Sequence, residues 1–108
     1  MTPEKSKYIV NLITGENHLM KLDVRSNKMG DIGAYYIAQA LRHNQHLTTL
    51  NLSDNEISIK GAKRILDSAI HHPILKKINL SHNKIDGDSA NKLLQWALKY
   101  DRPIELIV

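Results

Sequence analysis

One pattern recurs three times in this 108-residue chain: aliphatic residues at its first, fourth, sixth and eleventh positions, with asparagine at the ninth. The copies are Leu19, Leu22, Val24, Asn27, Met29; Leu47, Leu50, Leu52, Asn55, Ile57; and Leu75, Ile78, Leu80, Asn83, Ile85, in a strict register of 28 residues. Such a repeat constrains the fold more than composition does, because each unit must bury its apolar face on the next. Alternation of the kind Leu50-x-Leu52 is the period of a half-buried strand. After each asparagine the period becomes helical: Ala34, Ile37, Ala38 and Leu41, then Ala62, Ile65, Leu66 and Ala69, then Ala90, Leu93, Leu94 and Ala97. Each unit therefore reads strand, turn, helix. Asn27, Asn55 and Asn83 fall where the chain turns, and their amides can donate and accept hydrogen bonds that the turn leaves unmade. An inward asparagine without such partners would be costly. Gly33 and Gly61, with Ser89 in the third copy, keep the helix starts small enough for close approach.

The register also assigns the two ends. Ser6, Ile9, Val10 and Ile13 fall on the slots of Ala34, Ile37, Ala38 and Leu41, so about Pro3 to Thr14 reads as the helical half of a repeat. Pro3 suits its start and Gly15 its stop. Leu106 and Val108 fall on the slots of Ile78 and Leu80, which makes the last segment a strand half. The expected organisation is a single domain, 1–108, with a helical half-repeat over 1–16, full repeats over 17–44, 45–72 and 73–100, and a terminal strand over 101–108.

This sequence resembles the ribonuclease-inhibitor-like class of leucine-rich repeats, whose pattern is nearly spelled out by Asn27-Lys28-Met29-Gly30-Asp31-Ile32-Gly33-Ala34 and Ile37-Ala38-Gln39-Ala40-Leu41. The match covers almost the whole chain and departs from the family in one respect: all three turn residues are asparagine, where the family often alternates asparagine with cysteine. The resemblance implies an α/β solenoid of about four strands and four helices, with a curved parallel sheet on the concave side and helices on the convex side. It also implies a non-enzymatic, protein-binding role and a cytoplasmic location, or the host cytoplasm for a bacterial effector.

Residues alternating with the buried strand slots should face outward on the concave side. They form columns: Lys21, Thr49, Lys77, Glu105; Asp23, Asn51, Asn79, Ile107; Arg25, Ser53, Ser81; and, beside the turn, Ser26, Asp54, His82. The candidate partner-binding set is Lys21, Asp23, Arg25, Thr49, Asn51, Asp54, Lys77, Asn79 and His82. Four strands span only ~15 Å at the usual strand spacing, whereas a stable interface needs roughly 800 Å² per partner. None of these positions is aromatic, so the usual interface anchors are missing from this face.

Other chemistries fare worse. The chain has no cysteine, which excludes disulfides and thiol catalysis. No apolar run approaches the ~20 residues of a membrane span, and neither a signal segment nor a membrane partner is expected. A formal charge of +4 raises nucleic acid as a partner, but no run of five like charges exists and the sheet slots lack stacking aromatics, so none is expected. Five histidines gather by register at the helix-to-strand rim: His18 with His46, and His43 with His71 and its neighbour His72. Histidine ligates transition metals, but carboxylate or thiolate partners of a closed site are missing, and His43 and His71 suit exposed carbonyls at helix C-termini. No metal or other cofactor is expected. Ser81, His82 and Asp86 could suggest catalysis, yet adjacent strand residues point to opposite faces, which separates nucleophile from base.

The C-terminal strand raises self-association. Ile104 and Ile107 are apolar where the two preceding repeats carry polar residues, and with Leu106 they would form an edge that another copy could pair with, or one that continues in a larger leucine-rich-repeat receptor, regulator or bacterial effector of which this chain is a fragment. Trp96, in the slot of Ala40 and Ser68, either packs at this end or joins such an interface.

Overall fold

The computed structural model describes residues 2–15, 18–100 and 103–108. Four helices and four strands alternate along the chain: α1 (Pro3–Thr14), β1 (Lys21–Asp23), α2 (Gly30–Leu41), β2 (Thr49–Asn51), α3 (Ile59–Ile70), β3 (Lys77–Asn79), α4 (Gly87–Ala97) and β4 (Glu105–Ile107). The strands form one parallel sheet in chain order, with Leu22, Leu50, Ile78 and Leu106 paired across it. This is an α/β repeat solenoid, and the helical and strand halves at the two ends are α1 and β4. The expected boundaries at 16–17 and 101 fall on residues outside those described.

Burial shows why the repeats need one another. Leu47, Leu50, Leu52, Ile57, Ile65 and Leu66 of the middle repeat are fully buried, with neighbours on both sides. In α4 the sole buried residue is Leu93, and Leu94 and Leu98 are exposed. Nearest-neighbour stacking predicts this gradient, since a repeat buries its faces only where another repeat lies against them.

The asparagines form a ladder through the turns. Asn55 is fully buried; its Nδ2 donates to the carbonyls of Val24, Leu52 and Ser53 at 3.0, 3.1 and 3.0 Å, and its Oδ1 accepts from the Asn27 amide at 2.9 Å. Asn83 repeats the arrangement one unit on, donating to Leu52, Leu80 and Ser81 and accepting from the amides of Asn55 and Ile57. One side chain thus satisfies its own turn and its neighbour's, which short strands cannot do. The sharp turns use left-handed backbone at Ser26, Lys28, Asp54, Glu56 and His82, with φ between 50° and 59°.

A second set of side chains ties the opposite loops. Asn44 donates from Nδ2 to the carbonyl of Ile13 at 2.7 Å and accepts at Oδ1 from the amides of His46 and Leu47. One repeat later, His72 takes the same slot. Its Nδ1 accepts from the amides of Ile74 and Leu75 at 3.2 and 3.0 Å, and its Nε2 lies 2.9 Å from Asn44 Oδ1. Two amide donors at Nδ1 require the proton on Nε2, so the ring is the neutral Nε2–H tautomer and donates to Asn44. His72 therefore lies at the expected rim but as part of the buried framework, which removes it from the surface histidines that spacing grouped it with.

Helix ends follow ordinary capping chemistry with two departures. Thr2, Ser58 and Asp86 cap α1, α3 and α4 by accepting from the amides of Lys5, Lys60 and Ser89. No side chain caps α2, where Gly30 at φ 65° occupies the slot of Ser58 and Asp86. Asp31, in the first turn of α2, instead accepts from the Ser58 amide at 2.7 Å and from its hydroxyl, joining two helix starts. Gly15 closes α1 with an extended backbone, φ −70° and ψ 167°, in place of the left-handed cap that glycine often supplies.

The cap on α4 predicts an acid-sensitive helix start. Hydrogen bonds from the Ser89 amide and hydroxyl hold the Asp86 carboxyl below its ordinary value of 3.8. A carboxyl lowered in the folded state contributes stability that is complete above the unfolded value and lost as pH falls through the folded one. Amide exchange at Ser89 should therefore accelerate relative to α3 as pH drops below about 4, and Asp86→Ala should remove that dependence.

Candidate functional site

The sheet register places the concave columns side by side. Lys21, Thr49, Lys77 and Glu105 are paired across the four strands, as are Asp23, Asn51, Asn79 and Ile107. Leu22, Leu50 and Ile78 between them point inward and are buried.

Several of these polar groups are held in place by their own backbone. Asn51 Oδ1 accepts from the Ser53 amide and hydroxyl at 3.0 and 2.7 Å, and Asn79 Oδ1 accepts from the Ser81 amide and hydroxyl at 2.9 and 2.7 Å. In the first repeat Asp23 accepts from the Arg25 amide at 3.2 Å, and its carboxylate lies 3.4 Å from the Arg25 guanidinium. At side-chain exposures of 65% and 50%, that ion pair orients Arg25 more than it stabilises the fold. The amide oxygens of Asn51 and Asn79 are thus committed to their own strands' ends. Beside the turn, Ser26 donates to Asp54 at 2.8 Å, and His82 is exposed.

The remaining candidates are spread over other parts of the surface. His18 and His46 meet edge to face with centroids 4.9 Å apart, and His71 Nδ1 lies 2.8 Å from the Asp67 carbonyl one helical turn back. His43 is exposed. With His72 buried and committed, the five do not form one cluster; among the described residues no group of three or more ligating side chains could hold a metal. At the C-terminal end, Ile104, Leu106 and Trp96 pack partly against the core, Trp96 meets Tyr100 edge to face at 5.7 Å, and Ile107 is half-buried beside Asn79. Ser81 Oγ is engaged by Asn79. No helix among the described residues is long and apolar enough to cross a membrane.

Outward slots on the helices also carry exposed aromatic residues, Tyr8, Tyr35 and Tyr36, which reasoning confined to the strands overlooks. The same register, extended to the helix surface, would have located them.

Parallel strands in chain order, helices on the other face and a turn asparagine in each unit define a repeat protein with one ordered polar sheet face. The chain belongs to the leucine-rich repeat family, whose model matches residues 16–38, 43–66 and 71–94. Among solved structures it is similar to the leiomodin-1 actin-binding site 2, with a TM-score of 0.83 at 19% identity, covering 99% of this chain and 63% of that one. It is also similar to the tropomodulin C-terminal domain of Caenorhabditis elegans, with a TM-score of 0.74 at 16% identity, covering 94% of this chain and 62% of that one. The chain thus spans less than two thirds of either, and at these identities the likeness is one of fold. No curated protein sequence matches it.

Proposed function

We propose that this chain is a non-enzymatic protein-interaction module that binds a protein partner through the concave sheet face. The observation that carries the reading is the ordered polar row: Asp23, Asn51 and Asn79 occupy one register column, and each fixes the residue two positions on. Side chains already held in place lose less conformational freedom on binding. Lys21, Arg25 and Lys77 give the face its positive groups, with Asp54 and His82 beside the turn. The ribonuclease-inhibitor-like subclass fits the 28-residue repeat length, and a cytoplasmic setting, or a host cytoplasm for a bacterial effector, is what that resemblance implies. Because a structure similar in fold is described as an actin-binding site, actin is a suitable first partner to assay. Capture of actin, and of proteins from a cell extract, should fall at least tenfold for the Arg25→Ala, Lys77→Ala double variant. Undiminished capture by the double variant would place the binding face elsewhere.

A second reading, self-association, is favoured by the apolar surface of the last repeat. Leu98 is 83% exposed, and Leu94, Tyr100, Ile104 and Leu106 line an opening of about 460 Å³ beside it. A second copy laid against β4 would bury these groups. Light scattering at high micromolar concentration should then report a dimer or larger species that Ile107→Lys dissociates. A monomer indifferent to that substitution would remove this reading.

A further inference from the structure

We propose that the groove between α2 and α3 on the helical side is a second binding surface, and that its occupant is an acidic peptide segment carrying an apolar side chain. A convex helix surface should be polar, yet Ile32, Tyr35 and Tyr36 of α2 are 76%, 39% and 48% exposed. They lie at i, i+3 and i+4, which puts them on one stripe. The 28-residue register puts a cation in the matching slot of the next helix for each, Lys60 for Ile32, Lys63 for Tyr35 and Arg64 for Tyr36, and Lys60 and Arg64 line the groove with the apolar row. The same slots of α4 hold Asp88, Asn91 and Lys92, so the pairing of an apolar row with a basic row is confined to this groove.

The space between the rows is about 300 Å³, lined by Ile32, Tyr35, Tyr36, Lys60, Gly61 and Arg64, with Asp31 at its edge. Gly61 sets its depth, because a Cβ there would come within 2.5 Å of Asp31 Oδ1 and 3.0 Å of Ala34 Cβ, forcing the helices apart. The Arg64 guanidinium lies 5.1 Å from the Tyr35 ring centre. Among the described residues no carboxylate lies within ion-pair distance of Lys60, Lys63 or Arg64, whereas Arg42, farther along the groove, is met by Asp67 at 3.5 Å. Asp31 is occupied by the amide and hydroxyl of Ser58.

Charge and shape therefore ask for the same ligand. Carboxylates of a partner would meet Lys60 and Arg64, and an apolar side chain between them would cover Tyr35 and Ile32, the kind of anchor that dominates interface energetics. The cavity admits about one side chain, and its cations cluster along one to two helical turns instead of tracking a strand as a phosphate-binding channel does. These features favour peptide over nucleic acid. This surface lies on the side opposite the concave sheet, so the two proposals stand or fall separately.

The test is an NMR titration of the intact chain with a short peptide of glutamates around one leucine, beside a lysine counterpart and an oligothymidylate of similar length. Saturable shifts at Ile32, Tyr35 and residues 60–64 are expected with the glutamate peptide, with affinity lowered at least tenfold by Lys60→Glu with Arg64→Glu. Ile32→Ser should weaken binding while leaving the charges in place, and unchanged spectral dispersion will show that both variants fold. The proposal is overturned by an absence of shifts at millimolar peptide, by shifts centred on Lys21, Arg25 and Lys77, or by equal or tighter binding of the lysine peptide or the oligonucleotide.

Discussion

Replacing Asn55 with alanine should cost about 2 to 4 kcal/mol, a large share of the ~5–15 kcal/mol that holds a small domain together. The side chain is fully buried; its removal leaves the Asn27 amide without its acceptor and takes one donor from each of the Val24, Leu52 and Ser53 carbonyls, which keep their bonds from Asn27, Asn83 and the Ser26 amide. Each buried group left unpaired costs roughly 1–3 kcal/mol, less where water can reach it. Asn55→Asp should be no milder, because an ionised carboxylate would face the three carbonyls with no donor for them. Asn27→Ala is the internal comparison. That residue is only partly buried and, among the described residues, donates to the carbonyls of Val24 and Arg25, so its loss should cost about half as much, with solvent replacing part of each bond. Urea denaturation followed by circular dichroism will rank the three variants, and a thermal midpoint lowered by at least ~10 °C is expected for Asn55→Ala. Equal midpoints for Asn55→Ala and Asn27→Ala would show that the ladder is not carried by burial.

The second large effect is at the other rim. His72→Ala should destabilise by about 2 to 3 kcal/mol, since the Leu75 amide is buried and the Ile74 amide is left without its acceptor. His72→Asn should recover most of this, because Asn44 performs the same task one repeat earlier, accepting two amides at positions 46 and 47 through Oδ1. The tautomer gives an independent readout. Imidazole nitrogen shifts should report Nδ1 without a proton and Nε2 with one; the opposite assignment would contradict the hydrogen-bond scheme.

How far the sequence reveals this molecule depends on whether a residue's role repeats. Leu50, Leu52 and Ile57 recur in each unit, so burial and strand-turn-helix order follow from spacing, and even α1 and β4 can be placed from half a unit. Asn27, Asn55 and Asn83 are legible for the same reason. His72 is not, because its slot holds Asn44 in the preceding unit: two unlike side chains do one job, accepting the amides two and three residues on. Spacing alone grouped it with the exposed histidines. Gly15 shows a second limit, since glycine at a helix end suggests left-handed backbone while the chain here leaves extended. For the concave face, the columns could be read off the register but not the self-capping of Asn51 and Asn79, which depends on side-chain torsions. The aromatic stripe on α2 departs from the repeat, and so only the departures, set beside the cations of α3, reveal it.

The most direct test of the concave face as the protein-binding surface is hydrogen exchange on the chain with and without a captured partner, resolved to individual repeats. Added protection should fall at the strand ends and the residues just after them, 21–26, 49–54 and 77–82, and should vanish in the Arg25→Ala, Lys77→Ala variant. Protection confined to the helices, with those three segments unchanged by the partner, would contradict it.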